Sequence, residues 1–338
     1  MKQFNVIKFA LVALPLGMFF FGLIALSYTF FSPASQVRDE NRSSLNSKTI
    51  STEKDLKVWV TRQANDIGPR PTTDEEKTRI TAKWIESELS EENIGYRPKV
   101  TFLDGKNGNY RNIEAELPGT DKADEIIIVG TCYSSAENCP GANSNGTGVA
   151  ALLASARYFV GTENSRTIRF VACVGKFQTS EGIQGSGITF LADSFKKTNE
   201  QIIGLIYLDS LGYYTDQLEE PRGPNRLKES NLTKGDYIAI GSELSSKKFI
   251  ESFYSQFSKV YRMPVRKIIL SRDSLAHSSE HFASLSGQSY PALQLSDNSI
   301  YRYPHYQKDT DTPDKIDYER LSGAVKSLVI SIDSMLSP

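Results

Sequence analysis

Beyond about residue 98 the chain alternates short aliphatic runs with longer segments of helical periodicity, and no other feature constrains the fold as tightly. Ile126–Gly130 is an unbroken aliphatic run, suited to a strand buried on both faces. Thr167–Val174 and Ile202–Leu208 read as further central strands. Val149, Leu152, Leu153, Ala156 and Phe159 keep helical spacing, which predicts a helix over Gly148–Phe159. Helices are also expected near Thr52–Asn65, Glu75–Leu89, Gly187–Ser194, Ser246–Val260 and Tyr318–Met335. The GPRP turn at Gly68–Pro71 separates the first two, because its prolines stop helices. Lys99–Leu103, Asn112–Leu117, Tyr237–Gly241, Val265–Leu270 and Ala292–Ser296 complete the expected strands. Such alternation predicts an α/β three-layer sandwich, a mostly parallel mixed sheet with helices on both faces.

Composition permits that fold and narrows the partners. With 39% hydrophobic and 23% charged residues the chain can bury a sizeable core. Lys plus Arg is 39 against 40 for Asp plus Glu, so no bulk charge draws it to nucleic acid.

The amino terminus has a different character. Residues 9–31 form 23 positions without a charge, long enough as a helix to span a hydrocarbon core of about 30 Å. A cleaved signal peptide would carry a shorter apolar region, so an uncleaved transmembrane anchor is the reading adopted. Lys2 and Lys8 precede it, which puts the tail, residues 1–8, in the cytoplasm and the remainder on the extracytoplasmic side. Residues 32–51 read as a flexible linker, and 52–338 as one globular domain.

In α/β sheets the chemistry gathers where strands end at their carboxyl edge. That rule selects GTCYSS at Gly130–Ser135, PGANSNGTG at Pro140–Gly148, VGKFQTSEGIQGS after Val174, LDSLGYYTD at Leu208–Asp216 and PHYQKDTDTPD at Pro304–Asp314. In their order these segments, with NIEAELPG at Asn112–Gly119 and YPALQLSD at Tyr290–Asp297, resemble the co-catalytic zinc aminopeptidases of peptidase clan MH. The same family contains the glutaminyl cyclases. The resemblance covers roughly Thr52 to Leu336 and implies the aminopeptidase fold.

What the resemblance implies for the site is a set of replacements. The family's first histidine ligand falls on Cys132, its orienting aspartate on Ser134 and its bridging aspartate on Ser144. The glutamate pair falls on Thr179 and Ser180 in one gap-free match, or on Lys176 and Phe177 in another. The late histidine falls on Gln307, beside a matching His305, and Asp209 alone is retained among the ligands. Hydroxyl and amide groups are poor substitutes for carboxylate and imidazole, so a co-catalytic zinc pair is not expected. The resulting expectation is a pseudo-peptidase without a metal cofactor, whose cleft binds a peptide or partner protein.

Two other classes stay open at the level of sequence. One is an active metallopeptidase or cyclase-type hydrolase with a rewired zinc site built on Cys132 and Asp209, with Glu181 as base. The other is a structural protein whose cleft has closed. Cys132 either packs or pairs with Cys139 in a disulfide, which an exported domain allows. His277 and His281 receive no catalytic role. QGSGI at Gln184–Ile188 lacks the flanks of a nucleophile elbow, and GANSNGTG lacks the ending of a phosphate loop. Asn41, Asn145 and Asn231 lie in N-x-[ST] sequons.

Overall fold

A computed structural model describes residues 48–106, 108–198, 200–218, 234–270 and 290–337. The expected anchor at 9–31, His277, His281, Asn41 and Asn231 lie outside the described residues. Among the described residues no helix is long and apolar enough to cross a membrane.

Twelve strands are described: β1 Lys99–Gly105, β2 Gly108–Leu117, β3 Lys122–Cys132, β4 Arg166–Cys173, β5 Lys176–Gln178, β6 Gln184–Ser186, β7 Gln201–Leu208, β8 Thr215–Leu218, β9 Lys234–Gly235, β10 Ile238–Glu243, β11 Val265–Leu270 and β12 Ala292–Ser296. The described α-helices are α1 Glu53–Thr61, α2 Glu75–Leu89, α3 Thr147–Phe159, α4 Gly187–Thr198, α5 Lys247–Val260, α6 Ser299–Arg302 and α7 Tyr318–Leu336. Eight strands form one sheet in the order β1-β2-β4-β3-β7-β12-β10-β11. Its centre, β4-β3-β7-β12, is parallel. Antiparallel pairs join β1, β2 and β4 on one side and β12 and β10 on the other. The sheet is therefore mixed, parallel where the site segments emerge.

Side chains alternate across the sheet, as strand geometry requires. Ile127 and Val129 of β3 face one way, into the core formed with α1, α2, α3, α5 and α7. Ile126, Ile128 and Cys132 face the other way, toward Ile188, Leu191, Ala192 and Phe195 of α4. Helix α3 is buried over nearly its whole length, because it lies between the sheet and the outer helices α1 and α7. Each fully buried aliphatic side chain there contributes roughly 1.5–3 kcal/mol relative to exposure.

The folded domain begins earlier than the sequence suggests. Lys48 donates its amide to Tyr158 O at 2.9 Å and its ammonium to Asp333 Oδ2 at 2.9 Å, and Ser51 is buried. Residues 48–51, expected in the linker, therefore belong to the domain. A second difference is the β5–β6 hairpin, a short antiparallel insertion after β4. Its sequence carries no apolar alternation that would announce a strand.

Helix α1 is fixed at its start by a capping box. Thr52 Oγ1 accepts from the Asp55 amide at 3.3 Å, and Asp55 Oδ2 accepts from the Thr52 amide at 2.8 Å. Asp55 also takes the Arg157 guanidinium at 2.7 Å, which ties α1 to α3. Partial burial would raise the Asp55 pKa, but the hydrogen bonds from Arg157 and Thr52 outweigh it and hold the carboxyl down at about 2. A folded pKa below the unfolded value stabilises the fold above about pH 4, and that stabilisation is lost as the pH falls toward 2. Asp55→Asn is expected to lower the melting temperature at pH 7. Thermal unfolding followed against pH should show wild type and variant converging as the pH approaches 2.

Candidate functional site

The loop between β3 and α3 is held from two sides by buried charge. On one side lies Arg70, presented by the Gly68–Pro71 turn and fully buried. Its Nε donates to Tyr133 O at 2.6 Å, Nη1 to Pro140 O at 2.5 Å and Nη2 to Gly141 O at 3.0 Å. Burial lowers the Arg70 pKa to about 10, against Cys139, Asp311 and Cys132, which favour the charged form. The guanidinium thus stays protonated at neutral pH. Gly141 has φ +63°, and a Cβ there would lie 2.9 Å from both Ser135 Cβ and Ser144 O, so the clamp requires glycine.

On the other side lies Asp311, also fully buried. Its carboxylate accepts from the amides of Asn143 at 2.9 Å and Ser144 at 3.0 Å and from the Tyr303 hydroxyl at 3.0 Å. Asn143 then links three segments. Its Nδ2 donates to Asp297 Oδ2 at 2.9 Å and its Oδ1 accepts from the Gly212 amide at 2.8 Å. Asp297 additionally accepts from the amides of Tyr213 at 2.7 Å and Ser299 at 2.8 Å. Burial raises the Asp297 pKa in spite of donors from Ser299, Asn143 and Tyr213 and the nearby Arg302.

Within this frame the ligand positions implied by the resemblance can be located one by one. Cys132 closes β3 and is buried, its Sγ 3.5 Å from Ser134 Oγ. Ser134 Oγ accepts the Gly175 amide at 2.6 Å, which joins the exits of β3 and β4. Ser144 Oγ is buried with no hydrogen-bond partner. Asp209 follows β7, and its Oδ2 accepts from Gln294 Nε2 of β12 at 2.7 Å. Gln307 is exposed, with a left-handed backbone at φ 56°, and its Nε2 lies 3.4 Å from the Tyr306 hydroxyl. His305 Nδ1 meets Thr310 Oγ1 at 2.9 Å.

The structure separates the two matches for the glutamate pair. Lys176 and Phe177 emerge from β4 directly beside Ser134, through Gly175. Phe177 is buried, its ring centroid 4.5 Å from Tyr110 and 5.9 Å from Phe190. Thr179 and Ser180 instead lie in the turn of the β5–β6 hairpin, where Thr179 bridges to Gly105 and Ser180 Oγ donates to Asp104. Glu181 sits exposed in the same turn, so the hairpin carries it toward the β1–β2 turn. It is not brought to Cys132 or Asp209 as a base.

The cysteine pairing is also corrected. Cys132, Cys139 and Cys173 are all buried, and among the described residues none of them forms a disulfide. Cys132 faces the α4 side of the sheet, whereas Cys139 Sγ lies 3.9 Å from Asp311 Oδ2, and burial raises its pKa to about 12. The sulfur next to Cys132 belongs to Cys173, its register partner on β4. The Asn145 sequon is also engaged: Nδ2 donates to Ser134 O at 2.5 Å.

These donors do not fit a co-catalytic zinc pair. Such a centre needs carboxylates and imidazoles converging on the metals. The positions here offer a thiol, hydroxyls, an ammonium, a phenyl ring, an exposed amide and one carboxylate already bonded to Gln294. Among the described residues no three His, Cys, Asp or Glu side chains gather as a metal-binding group.

A family profile described as Peptidase family M28 matches residues 112–330. The chain belongs to peptidase family M28. Among curated relatives of this family member, the uncharacterized protein YfbL of Escherichia coli strain K12 is 25% identical over 240 residues, covering 66% of this chain and 70% of that protein. A probable leucine aminopeptidase of Trichophyton verrucosum is 23% identical over 232 residues, 64% of this chain and 56% of its own. The fold matches the LapA aminopeptidase of Legionella pneumophila with a TM-score of 0.67 at 16% identity, over 89% of this chain and 75% of that one. It matches a zinc aminopeptidase of Bacillus subtilis at 0.64 and 13% identity, over 86% and 97%. Glutaminyl cyclase of Porphyromonas gingivalis matches at 0.60 and 16%, over 85% and 99%. At these identities the likeness establishes the M28 fold alone.

Arg70, Asn143, Asp297 and Asp311 were not singled out by sequence. Asp297 ends the YPALQLSD segment and Asp311 lies within PHYQKDTDTPD, but an aspartate in a polar loop ordinarily reads as solvated. Asp311→Ala is expected to cost more than about 2 kcal/mol, because it leaves the buried amides of Asn143 and Ser144 and the Tyr303 hydroxyl without their acceptor. Gln307→Asn, which keeps the left-handed backbone accessible, should stay within about 0.5 kcal/mol. Denaturant unfolding of both variants checks the contrast.

Proposed function

We propose that this member of family M28 is a pseudo-peptidase that binds a peptide or partner protein at the carboxyl edge of its sheet. Residues 9–31 would hold it to a membrane, with the domain on the extracytoplasmic side. One observation carries the reading: around an intact backbone frame, the metal-ligand and base positions hold Cys132, Ser144, Lys176, Phe177 and Gln307, and the retained Asp209 bonds to Gln294. Hydrolysis of a peptide bond in such a site requires a Lewis acid or base to activate water. Lys176 and Phe177 supply neither function where the resemblance implies a glutamate pair. The frame supports binding because Arg70, Asn143 and Asp311 fix the strand-end loops through buried hydrogen bonds.

Turnover of chromogenic amino-acid amides by the full-length protein, with zinc supplied, tests this directly. The expected rate equals the protein-free background. Zinc-dependent turnover that disappears in Asp209→Ala would overturn the reading in favour of a rewired hydrolase.

A further inference from the structure

The outer end of the sheet is locally basic. Between Lys247 and Lys267 stand six cations, Lys247, Lys248, Lys259, Arg262, Arg266 and Lys267, against the single carboxylate of Glu251, in a chain whose net charge is −1. All six are exposed. Among the described residues Lys267 pairs with Glu251 at 2.6 Å, and the other five make no ion pair. Phe249, Ile250, Phe253 and Phe257 bury one face of α5. The opposite face is therefore the row Lys248, Ser252, Ser255 and Lys259, spaced i, i+4, i+7 and i+11, with its lysines about 16 Å apart along the axis. Edge strand β11 extends this surface. Val265 and Ile269 pack on the α5 side, and Lys267 lies there too, 5.1 Å from the Tyr254 ring. Arg266 faces the other way, over the Tyr237 ring at 6.0 Å. The cations thus wrap around the sheet edge instead of lying in one plane.

We propose that the outer face of α5 and the β11 edge bind a linear polymer that carries phosphate in its backbone. A polyanion laid across exposed, unpaired cations releases its condensed counterions, and that release drives such binding. A flexible chain can follow cations around an edge, whereas a flat anionic membrane meets only one side of it. Backbone-borne charge also suits the row on α5. Only Ser252 and Ser255 separate Lys248 from Lys259, so a polymer backbone can approach closely while the exposed hydroxyls donate to phosphate oxygens. In a polycarboxylate the charges sit on side groups that hold the backbone away. The Tyr254 ring is engaged by Lys267, a cation of the chain itself, so this surface reads charge and not base stacking. It shares no residue with the strand-end cleft, and the proposal stands whether or not that cleft binds a peptide.

The test is fluorescence anisotropy of end-labelled linear polyphosphate titrated with the full-length protein in neutral detergent. Wild type should bind, with the logarithm of the binding constant falling linearly as the logarithm of the salt concentration rises. The triple variant Lys248→Gln/Lys259→Gln/Arg262→Gln loses three of the cations, so its salt slope should fall by about two and its affinity at low salt by about tenfold or more. A Lys54→Gln/Lys83→Gln variant, altered at exposed positions of α1 and α2, should bind as wild type does. No binding by wild type, or equal binding by a folded triple variant, would overturn the proposal. So would an equal loss in the Lys54→Gln/Lys83→Gln variant, or competition by poly-L-glutamate as effective as that by unlabelled polyphosphate.

Discussion

The geometry of this domain's site depends on a loop whose backbone is held by buried ions of opposite sign. Arg70 takes the carbonyls of Tyr133, Pro140 and Gly141, and Asp311 takes the amides of Asn143 and Ser144. Each ion is desolvated at high cost, and each recovers that cost through several directed hydrogen bonds. The arrangement works because the loop's free backbone groups, carbonyls first and amides after, face ions of the complementary sign.

That constraint fixes the strand-end loops of this M28 fold through side chains of the chain itself. In a metal centre the ions themselves draw strand ends together. Here the exits of β3, β4 and β7 are joined by ordinary polar contacts: Gly175 N to Ser134 Oγ, Thr131 Oγ1 to Leu208 O, and Gln294 Nε2 to Asp209 Oδ2. The first two, between neutral groups, are modest at about 0.5–1.5 kcal/mol each, and the one to the Asp209 carboxylate is worth about 1.5–3 kcal/mol. They suffice because the apolar layers on both sides of the sheet already fix the strands.

Much of the fold could be read from the sequence, and the reasons are physical. Helix α2 and strands β11 and β12 have the boundaries that periodicity predicts, since each is bounded by residues that break its pattern. The β5–β6 hairpin was missed because Lys176–Ser186 is polar and carries no alternation. The identity of the site segments was readable from their order, and the structure puts Lys176–Phe177 next to the β4 exit and Thr179–Ser180 in the hairpin turn. Arg70 was hidden, because an arginine in a proline-rich turn looks solvated until its carbonyl partners, distant in sequence, are placed around it. The neighbour of Cys132 was hidden for a similar reason. Cys139 is close in sequence, but strand register brings Cys173 to it instead.

On the proposed reading, this chain keeps the M28 frame without the zinc centre. The most direct measurement is zinc bound per chain after the reduced full-length protein is incubated with excess zinc and desalted. The expected stoichiometry is near zero in protein that remains folded by circular dichroism. Retention of one or two zinc ions per chain, lost on substituting Asp209, would contradict it.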